Sequence, residues 1–245
     1  MKITLLMATY NEYGCIDKTI EKLYNYAKEN LKDFQIIVID DGSSDHTFVD
    51  LQKAESRYGI TIGKNPVNMG QGAAFRRGLV HADGEVVITL DSDLSYPITD
   101  IPKLLEKIEG GYDVVVTSPF IGGGGTEDVP FLRLFLSNLA TFLYSLALGL
   151  KLTAFTGVFR AYRTEVLRNT RYKSDRFEAQ VEILWLCKKA GAKIVEIPSV
   201  LKFKTERNSN FRVFRDVKTH LVLITRLFFD RALWVLGGSK QSIKK

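Results

Sequence analysis

Glu85-Val86-Val87-Ile88-Thr89-Leu90-Asp91-Ser92-Asp93-Leu94-Ser95-Tyr96-Pro97 is the stretch on which the fold of this chain turns. Its first six residues are a short, largely apolar, β-branched run, the pattern of a buried strand. The run ends in two carboxylates one residue apart, and Pro97 stops further pairing. Two acids at the carboxyl end of a buried strand have no packing role. Ionised, they repel each other and need a cation or a donor network. A hard divalent ion with oxygen ligands, shared with substrate phosphates, meets that need. The alternative is local: Asp and Ser also cap helices, and a helix is expected from near Ile98. The Asp-x-Asp spacing alone leaves both open.

The flanking sequence decides between them. Upstream, Ile3-Thr4-Leu5-Leu6-Met7-Ala8 reads as a buried strand that meets the polar loop Thr9-Tyr10-Asn11-Glu12. Apolar residues at helical spacing follow, from Ile16 to Leu31. Phe34-Gln35-Ile36-Ile37-Val38-Ile39 is a second strand, ending in Asp40-Asp41-Gly42-Ser43-Ser44-Asp45, a turn cluster that can cap the helix of Phe48, Leu51, Ala54 and Tyr58. Ile60-Thr61-Ile62 is a short third strand. Asn68-Met69-Gly70-Gln71-Gly72-Ala73-Ala74 opens a third helix reaching about Ala82. Beyond the acidic pair, a helix from Thr99 or Asp100 closes at Gly110-Gly111, and Asp113-Val114-Val115-Val116-Thr117 is another strand. Strands alternating with helices predict a mostly parallel α/β sheet covered on both faces. Ligands of such sheets bind outside the carboxyl ends of the strands, where the loops of Tyr10, Asp41 and Asp93 all lie. That convergence favours a site over caps.

The second half is more apolar. Gly122-Gly123-Gly124-Gly125 reads as a flexible loop. Residues 131–150 carry one charge, Arg133; the uncharged part, 134–150, sits at the lower limit for a membrane span and is interrupted by Ser137, Asn138 and Ser145. A buried or membrane-resting helix is the better reading. Residues 157–162 read as a strand, 177–189 as a helix, and 193–203 as a strand interrupted by Pro198. Residues 217–236 form a last apolar helix. Its aromatics Phe228, Phe229 and Trp234 and its cations suit a membrane interface, although a terminal helix packed on the core or on a partner subunit shows the same pattern.

Composition bounds the rest. The chain has 245 residues, 45% hydrophobic and 25% charged, enough for one large core or one plus an appendage. Its net charge of +6 gathers after Lys202 and in the basic tail, which could face nucleic acid, anionic lipid or a phosphorylated substrate. No nucleic-acid motif accompanies it, so no nucleic-acid partner is expected. Cys15 and Cys187 are lone thiols and the three histidines are isolated; an intracellular, disulfide-free protein without a histidine metal cluster is expected. The chain enters structure at Ile3, so no signal peptide is expected.

Taken together, six stretches resemble the family 2 glycosyltransferases of the GT-A (Rossmann-like) fold, and within them the polyprenyl-phosphate enzymes of the dolichyl-phosphate mannose synthase type. They are residues 8–12, 38–45, 68–74, Asp91-Ser92-Asp93-Leu94, Phe159-Arg160-Ala161-Tyr162-Arg163 and Phe177-Glu178-Ala179-Gln180-Val181-Glu182. Each is weak alone; their order and spacing are specific. The resemblance covers about residues 1–212. It implies a glycosyltransferase domain over 1–215, with a nucleotide-sugar half (1–118) and an acceptor half (119–215), followed by an amphipathic helix and basic tail (216–245).

The same resemblance assigns roles. Ala8, Thr9, Tyr10 and Glu12 match the first loop of the nucleotide pocket, and Asp41 the acid that hydrogen-bonds the base. Gln71, Ser92 and Arg207 fall at donor-binding positions. Asp91 and Asp93 match the motif that binds Mg2+ or Mn2+, with Asp93 on the ion. Arg133 and Ser137 match positions that hold the acceptor phosphate; the rival for Arg133 is a snorkelling charge on an apolar helix. Gln180, with Glu178 and Glu182, matches a motif near the sugar. Only alternate members of that trio can share one helix side, so at least one is expected to be a plain surface residue. Arg207, Ser209 and Asn210 resemble a late region that closes over the donor phosphates.

Departures from the pattern bear mostly on the acceptor. Thr117-Ser118-Pro119 stands where the lipid-phosphate enzymes carry Gly-Ser-Arg. Gln71 replaces a lysine, Ser95 a glutamine of the metal shell, Ala154 an aspartate, Val158 a glycine and Asn210 a lysine. The implied reaction is inverting transfer of a hexose from GDP-mannose or UDP-glucose to a polyprenyl (dolichyl) phosphate. It implies a peripheral protein at the cytoplasmic face of a membrane, with no transmembrane span, seated on the membrane surface or on a membrane partner subunit. The alternatives are transfer to a sugar or glycolipid hydroxyl, with Glu178 or Glu182 as base, and a nucleotide-sugar-binding protein without catalysis.

Overall fold

The computed structural model describes residues 1–202 and 213–236, the side chains of 132, 133 and 213–219 excepted. The chain opens with β1 (Ile3–Thr9), α1 (Ile16–Asn30), β2 (Phe34–Asp40), α2 (Thr47–Tyr58), β3 (Thr61–Lys64), α3 (Gln71–Leu79) and β4 (Val86–Asp91). A turn of 3-10 helix at Ile98–Asp100 leads into α4 (Ile101–Glu109) and β5 (Val114–Ser118). The second half runs through β6 (Gly125–Glu127), α5 (Phe131–Leu148), β7 (Arg160–Arg163), α6 (Thr164–Thr170) and α7 (Ala179–Lys189). It continues with β8 (Ile194–Pro198), β9 (Val200–Lys202) and α8 (Val213–Leu236).

Seven strands form one sheet in the order β3-β2-β1-β4-β7-β5-β8. β7 pairs antiparallel with both β4 and β5; the other pairings are parallel. Alternating side chains feed two cores. Leu6, Ala8, Ile37, Ile39 and Val87 face one side with residues of α3, α5, α7 and α8. Leu5, Met7, Ile36, Val38 and Ile88 face the other with residues of α1, α2 and α4. Every residue of β1 is buried, and a fully buried Leu or Met side chain contributes about 1.5–3 kcal/mol. β1 is thus the spine of the sheet. The chain leaves it in one direction for β2 and β3, then returns to its other side for β4, so the strand order reverses there.

The expected mostly parallel sheet with helices on both faces is present, with four local differences. The helix expected from Asn68 begins at Gln71, because Gly70, with φ of 109°, turns the chain first. The strand expected over 193–203 is two. Pro198 lacks an N–H, and β9 leaves the main sheet to pair with β6. The glycine run expected to be a flexible loop therefore ends in a strand, fastened by a Lys202–Glu127 ion pair at 2.9 Å. α6 was not expected; it begins where β7 ends, with the Thr164 hydroxyl donating to the Gly84 carbonyl at 2.6 Å.

Candidate active site

The strand register sets the site. Thr9 lies opposite Asp40, and Ala8 opposite Asp91. The carboxyl tips of β2, β1 and β4 therefore stand side by side, spanning two strand spacings, roughly 10 Å. Asp40 and Asp41 mark one end, Asp91 and Asp93 the other, with Ala8, Thr9 and Tyr10 between. This is also where the strand order reverses, the place at which open α/β sheets bind ligands.

Side chains lock these tips together. Asn11 (φ 53°) donates its N–H to Ser43 Oγ at 2.9 Å, and its Oδ1 accepts from Ser44 N at 2.9 Å. Glu12 N donates to Thr47 Oγ1 at 2.7 Å and Gly14 N to Asp50 Oδ2 at 3.1 Å. Ser92 Oγ donates to Glu12 Oε1 at 3.3 Å, tying the β4 loop to the β1 loop. Asp40 is wholly buried. Its Oδ1 accepts from Ser43 N (2.9 Å) and Ser43 Oγ (2.5 Å), and its Oδ2 faces Lys64 Nζ at 3.4 Å. Asp41 is 4% exposed and accepts three bonds, from Asn65 Nδ2 (2.8 Å), Met69 N (3.1 Å) and Gly70 N (2.7 Å). It thereby fixes the turn into α3. Gly42, with φ of 74°, lets that turn come close: a Cβ there would lie 2.2 Å from the Val67 carbonyl carbon.

The amino end of α3 meets the segment before α7. Ala73 N donates to the Asp175 carbonyl at 3.0 Å, and a Cβ on Gly70 would lie 2.4 Å from that oxygen. Glu182 holds the segment in place, its Oε2 accepting from Lys173 N (3.1 Å) and Ser174 N (2.7 Å) while Oε1 faces Arg226 at 3.6 Å. Gln180 and Glu182 are both buried and Glu178 is half-buried, so no member of the trio is a plain surface residue. α7 is covered on more than one side, by the sheet and by α8, which the periodicity of a single helix does not show. Both polar ends of the Gln180 amide, Gln71 Oε1 and Thr9 Oγ1 are buried without a hydrogen-bond partner. Unpaired buried polar atoms are costly and rare; Thr9 ends β1, and Gln71 opens α3 next to the turn that Asp41 holds.

Asp91 ends β4 and Asp93 follows it, its Oδ1 accepting from Ser95 N at 2.9 Å. Among the described residues no three His, Cys, Asp or Glu side chains form a metal-holding group. An ion that keeps waters and takes substrate phosphate oxygens needs only one or two carboxylates, which this pair can provide. Tyr96, 7% exposed, follows in the same loop and packs against Phe159. Burial, and then the charge of Asp91, push its phenol well above the usual range, so it stays a neutral donor. Sequence reasoning missed Tyr96, Asn65 and Ser43 as parts of this architecture. Ser43 lay within a quoted motif; nothing local marks Asn65.

Farther along, Ser137 is half-buried on α5. Arg133 lies on the same helix, its side chain outside the described residues; Arg207, Ser209 and Asn210 lie outside them altogether. At the tip of β5, Ser118 Oγ and Thr153 Oγ1 share a 2.6 Å hydrogen bond, and Glu196 accepts from Thr153 N (2.8 Å) and Ala154 N (2.9 Å). α5 and α8 pack on each other and carry uncovered apolar faces. Phe131, Phe135, Leu139, Phe142 and Leu146 run along α5, and Val222, Phe229, Leu233 and Leu236 along α8. Between them lies an apolar cleft of about 330 Å3 lined by Leu143, Ala147, Ile224 and Phe228 among others. Among the described residues no helix is long and apolar enough to cross a membrane.

A mostly parallel sheet with helices on both faces and its polar loops gathered at one set of strand tips is an α/β fold of the GT-A type. The chain belongs to glycosyl transferase family 2, whose model matches residues 4–171. It is 31% identical over 216 residues to a dolichol-phosphate mannosyltransferase of Pyrococcus furiosus, covering 86% of this chain and 60% of that protein. The chain thus spans about three-fifths of that relative's length. Its fold is similar to that of Mycobacterium tuberculosis glucosyl-3-phosphoglycerate synthase solved with Mn2+, UDP and phosphoglyceric acid. There the TM-score is 0.65 at 18% identity, over all of this chain and 80% of that one. It is also similar to S. aureus TarS, with a TM-score of 0.60 at 19% identity, covering 95% of this chain and 40% of that one.

Proposed function

We propose that this chain is an inverting, metal-dependent glycosyltransferase that moves a hexose, mannose or glucose, from a nucleoside diphosphate sugar to a polyprenyl phosphate. It works as a peripheral protein on the cytoplasmic face of a membrane, seated by its apolar helices or by a membrane partner subunit. Residues 1–118 are the donor half and 119–215 the acceptor half. The donor is GDP-mannose or UDP-glucose.

In this reading Ala8, Thr9, Tyr10, Glu12 and Asp41 hold the nucleoside, with Tyr10 stacking on the base. Gln71, Ser92 and Arg207 complete the donor site, and Asp91 and Asp93 would hold Mg2+ or Mn2+. The ion supplies charge neutralisation for the departing diphosphate. The Mn2+ and UDP named for the mycobacterial structure are consistent with that choice. Gln180 sits beneath the sugar with an amide whose partners the ligand would provide. Arg133, through its bidentate fork, and Ser137 orient the acceptor phosphate. That phosphate is already ionised near neutral pH, so attack on the sugar needs no strong general base. Glu182 agrees with this, since one of its oxygens is committed to two main-chain donors and the other faces Arg226.

The observation that carries the acceptor assignment is the uncovered apolar face of α5 and α8, on the helix that also bears Arg133 and Ser137. The dolichol-phosphate mannosyltransferase relative points the same way. Incubation with GDP-mannose or UDP-glucose, Mn2+ or Mg2+, and a short polyprenyl phosphate is expected to yield a lipid-linked hexose. No lipid-linked product with any donor would overturn the assignment.

One observation favours a second reading, transfer to a sugar or glycolipid hydroxyl. The tip of β5 carries Thr117-Ser118-Pro119, and its side chains are joined in a Ser118–Thr153–Glu196 network rather than ending in an arginine. A hydroxyl needs a base, and Glu178, half-buried at the start of α7, is then the candidate. Glu178→Gln separates the two: a hydroxyl transferase loses orders of magnitude in rate, a phosphate transferase little.

A further inference from the structure

We propose that Arg226 of α8 is a positioning residue for the donor end of the protein, acting through Glu182, so that the seating of α8 is felt where the nucleotide binds. The proposal rests on the reading of the β1, β2 and β4 tips as the donor site, and it adds a residue of the last helix to what sets that site.

α7 and α8 meet along one stripe. Glu182, Trp185 and Lys189 recur on one side of α7, and each touches α8. Glu182 Oε1 faces Arg226 at 3.6 Å, Trp185 Nε1 donates to Asp230 Oδ2 at 2.6 Å, and Lys189 Nζ pairs with Asp230 at 3.1 Å. Leu223 and Leu227 are buried in the same core as Trp185, and Trp234 packs edge-on against that indole. Charge order fixes the register: acid then base along α7 meets base then acid along α8. Sliding α8 by one turn sets Asp230 against Glu182, or Arg226 against Lys189, like charge on like. The helix therefore has one seat, and Arg226 reaches Glu182 only there.

Glu182 is 4% exposed. Taking the cation away from a buried carboxylate leaves its charge uncompensated, and the strain falls on the bonds the other oxygen makes. Those bonds, from Lys173 N at 3.1 Å and Ser174 N at 2.7 Å, set residues 172–175 against α3. Arg76 of α3 donates to the Tyr172 and Ser174 carbonyls at 3.3 and 3.2 Å and pairs with Asp175. The Tyr172 hydroxyl donates to the Gly72 carbonyl at 2.9 Å, and Ala73 N to that of Asp175 at 3.0 Å. The contact has no slack, since a Cβ on Gly72 would lie 2.6 Å from the Ser174 carbonyl oxygen. Gly70 N, just before α3, donates to Asp41 at 2.7 Å. A shift of 172–175 thus moves the amino end of α3 and the turn that Asp41 holds. The route from Arg226 runs through one carboxylate, which makes it separable by mutation.

Isothermal titration of the full chain in Mn2+, with whichever of UDP and GDP binds more tightly, tests the route. Arg226→Ala is expected to weaken binding about three- to tenfold and Glu182→Gln about tenfold or more, with the double variant no weaker than Glu182→Gln alone, because the two act in series. Arg226→Lys keeps the charge and should stay within about threefold of the unsubstituted chain. In turnover, the Arg226→Ala loss should fall on KM for the nucleotide sugar rather than on kcat. Asp230→Asn is the control: it breaks the other ion pair of α8 and leaves Glu182 its cation, so it should lower the thermal midpoint without moving nucleotide affinity. Arg226→Ala binding like the unsubstituted chain, additive losses in the double variant, or an equal loss in Asp230→Asn would overturn the proposal and leave the donor site standing. Binding of neither nucleotide by an unsubstituted chain that is folded by circular dichroism would overturn the donor site and the proposal together.

Discussion

The two ends of the molecule are built on opposite plans. At the tips of β1, β2 and β4, side chains and main chain are cross-linked by short hydrogen bonds between loops far apart in sequence, such as Asn11 to Ser43 and Asp41 to Gly70. On α5 and α8, aromatic and aliphatic side chains stand in solvent; Phe131 and Leu236 are more than four-fifths exposed. The first region is preorganised for a polar ligand whose hydrogen bonds it can count. The second has a surface that water serves poorly, and its natural complement is an apolar one. The proposed transfer of a sugar from a nucleotide to a lipid phosphate would use both in one chain.

The largest way to break the contrast is at the polar end. Asp93→Asn is expected to lower metal-dependent transfer on the order of 10²–10³-fold, measured as kcat/KM, with little change in thermal midpoint. A variant with near-normal turnover would remove the metal from the account. Asp41→Asn comes next. It replaces an anionic acceptor of three donors by an amide, one of whose ends is itself a donor. A loss of roughly 1–3 kcal/mol in unfolding free energy is expected, together with weaker nucleotide binding. Unchanged stability would mean that the turn into α3 does not depend on this carboxylate.

At the apolar end, Phe229→Asp and Leu233→Asp should each weaken binding to liposomes by about tenfold or more, because each removes a side chain whose burial is worth about 1.5–3 kcal/mol. Nucleotide affinity in solution should not move. Equal liposome binding by all variants would assign this face to a protein partner instead. Acid gives the smallest effect. Asp50 lies below the usual range because of its bond to Lys53. Asp45 does too, hydrogen bonds from Thr47 and Tyr13 outweighing its burial. A lowered folded-state value means that their contribution is present above the ordinary aspartate value of 3.8 and lost as pH falls through the lowered values. Both groups are near solvent or paired with an exposed lysine, so the change should be under about 1 kcal/mol. It should appear as local hydrogen exchange at residues 11–14 before global unfolding. Protection that persists through that range would separate the loop from these carboxylates.

The first half of the sheet was legible because its signals are local. Buried strands show as apolar runs, and Asp40-Asp41-Gly42 and Asp91-Ser92-Asp93 stand at their ends, so element order and the gathering of these loops at one set of strand tips follow from pattern alone. What was hidden depends on contacts across the chain. Asn65 matters because Met69 and Gly70 share its acceptor, and Tyr96 because its buried phenol feels the charge of Asp91. Glu182 reads as a possible base until its neighbours are known; then it is a brace for residues 173–174. β6 and β9 are three residues each, too short for a period, and exist only as a pair. Helices α5 and α8 were legible as apolar, but which face of each stays uncovered is decided by their packing on each other and on α7.

The central claim is that β4 brings a divalent cation to the diphosphate of a nucleotide held by the neighbouring strand tips. Titrating the chain with UDP in Mn2+ and again with the metal chelated tests it most directly. The account predicts that affinity falls at least tenfold without metal, and that Asp93→Asn reproduces the fall even in its presence. Equal affinity with and without Mn2+ would contradict it.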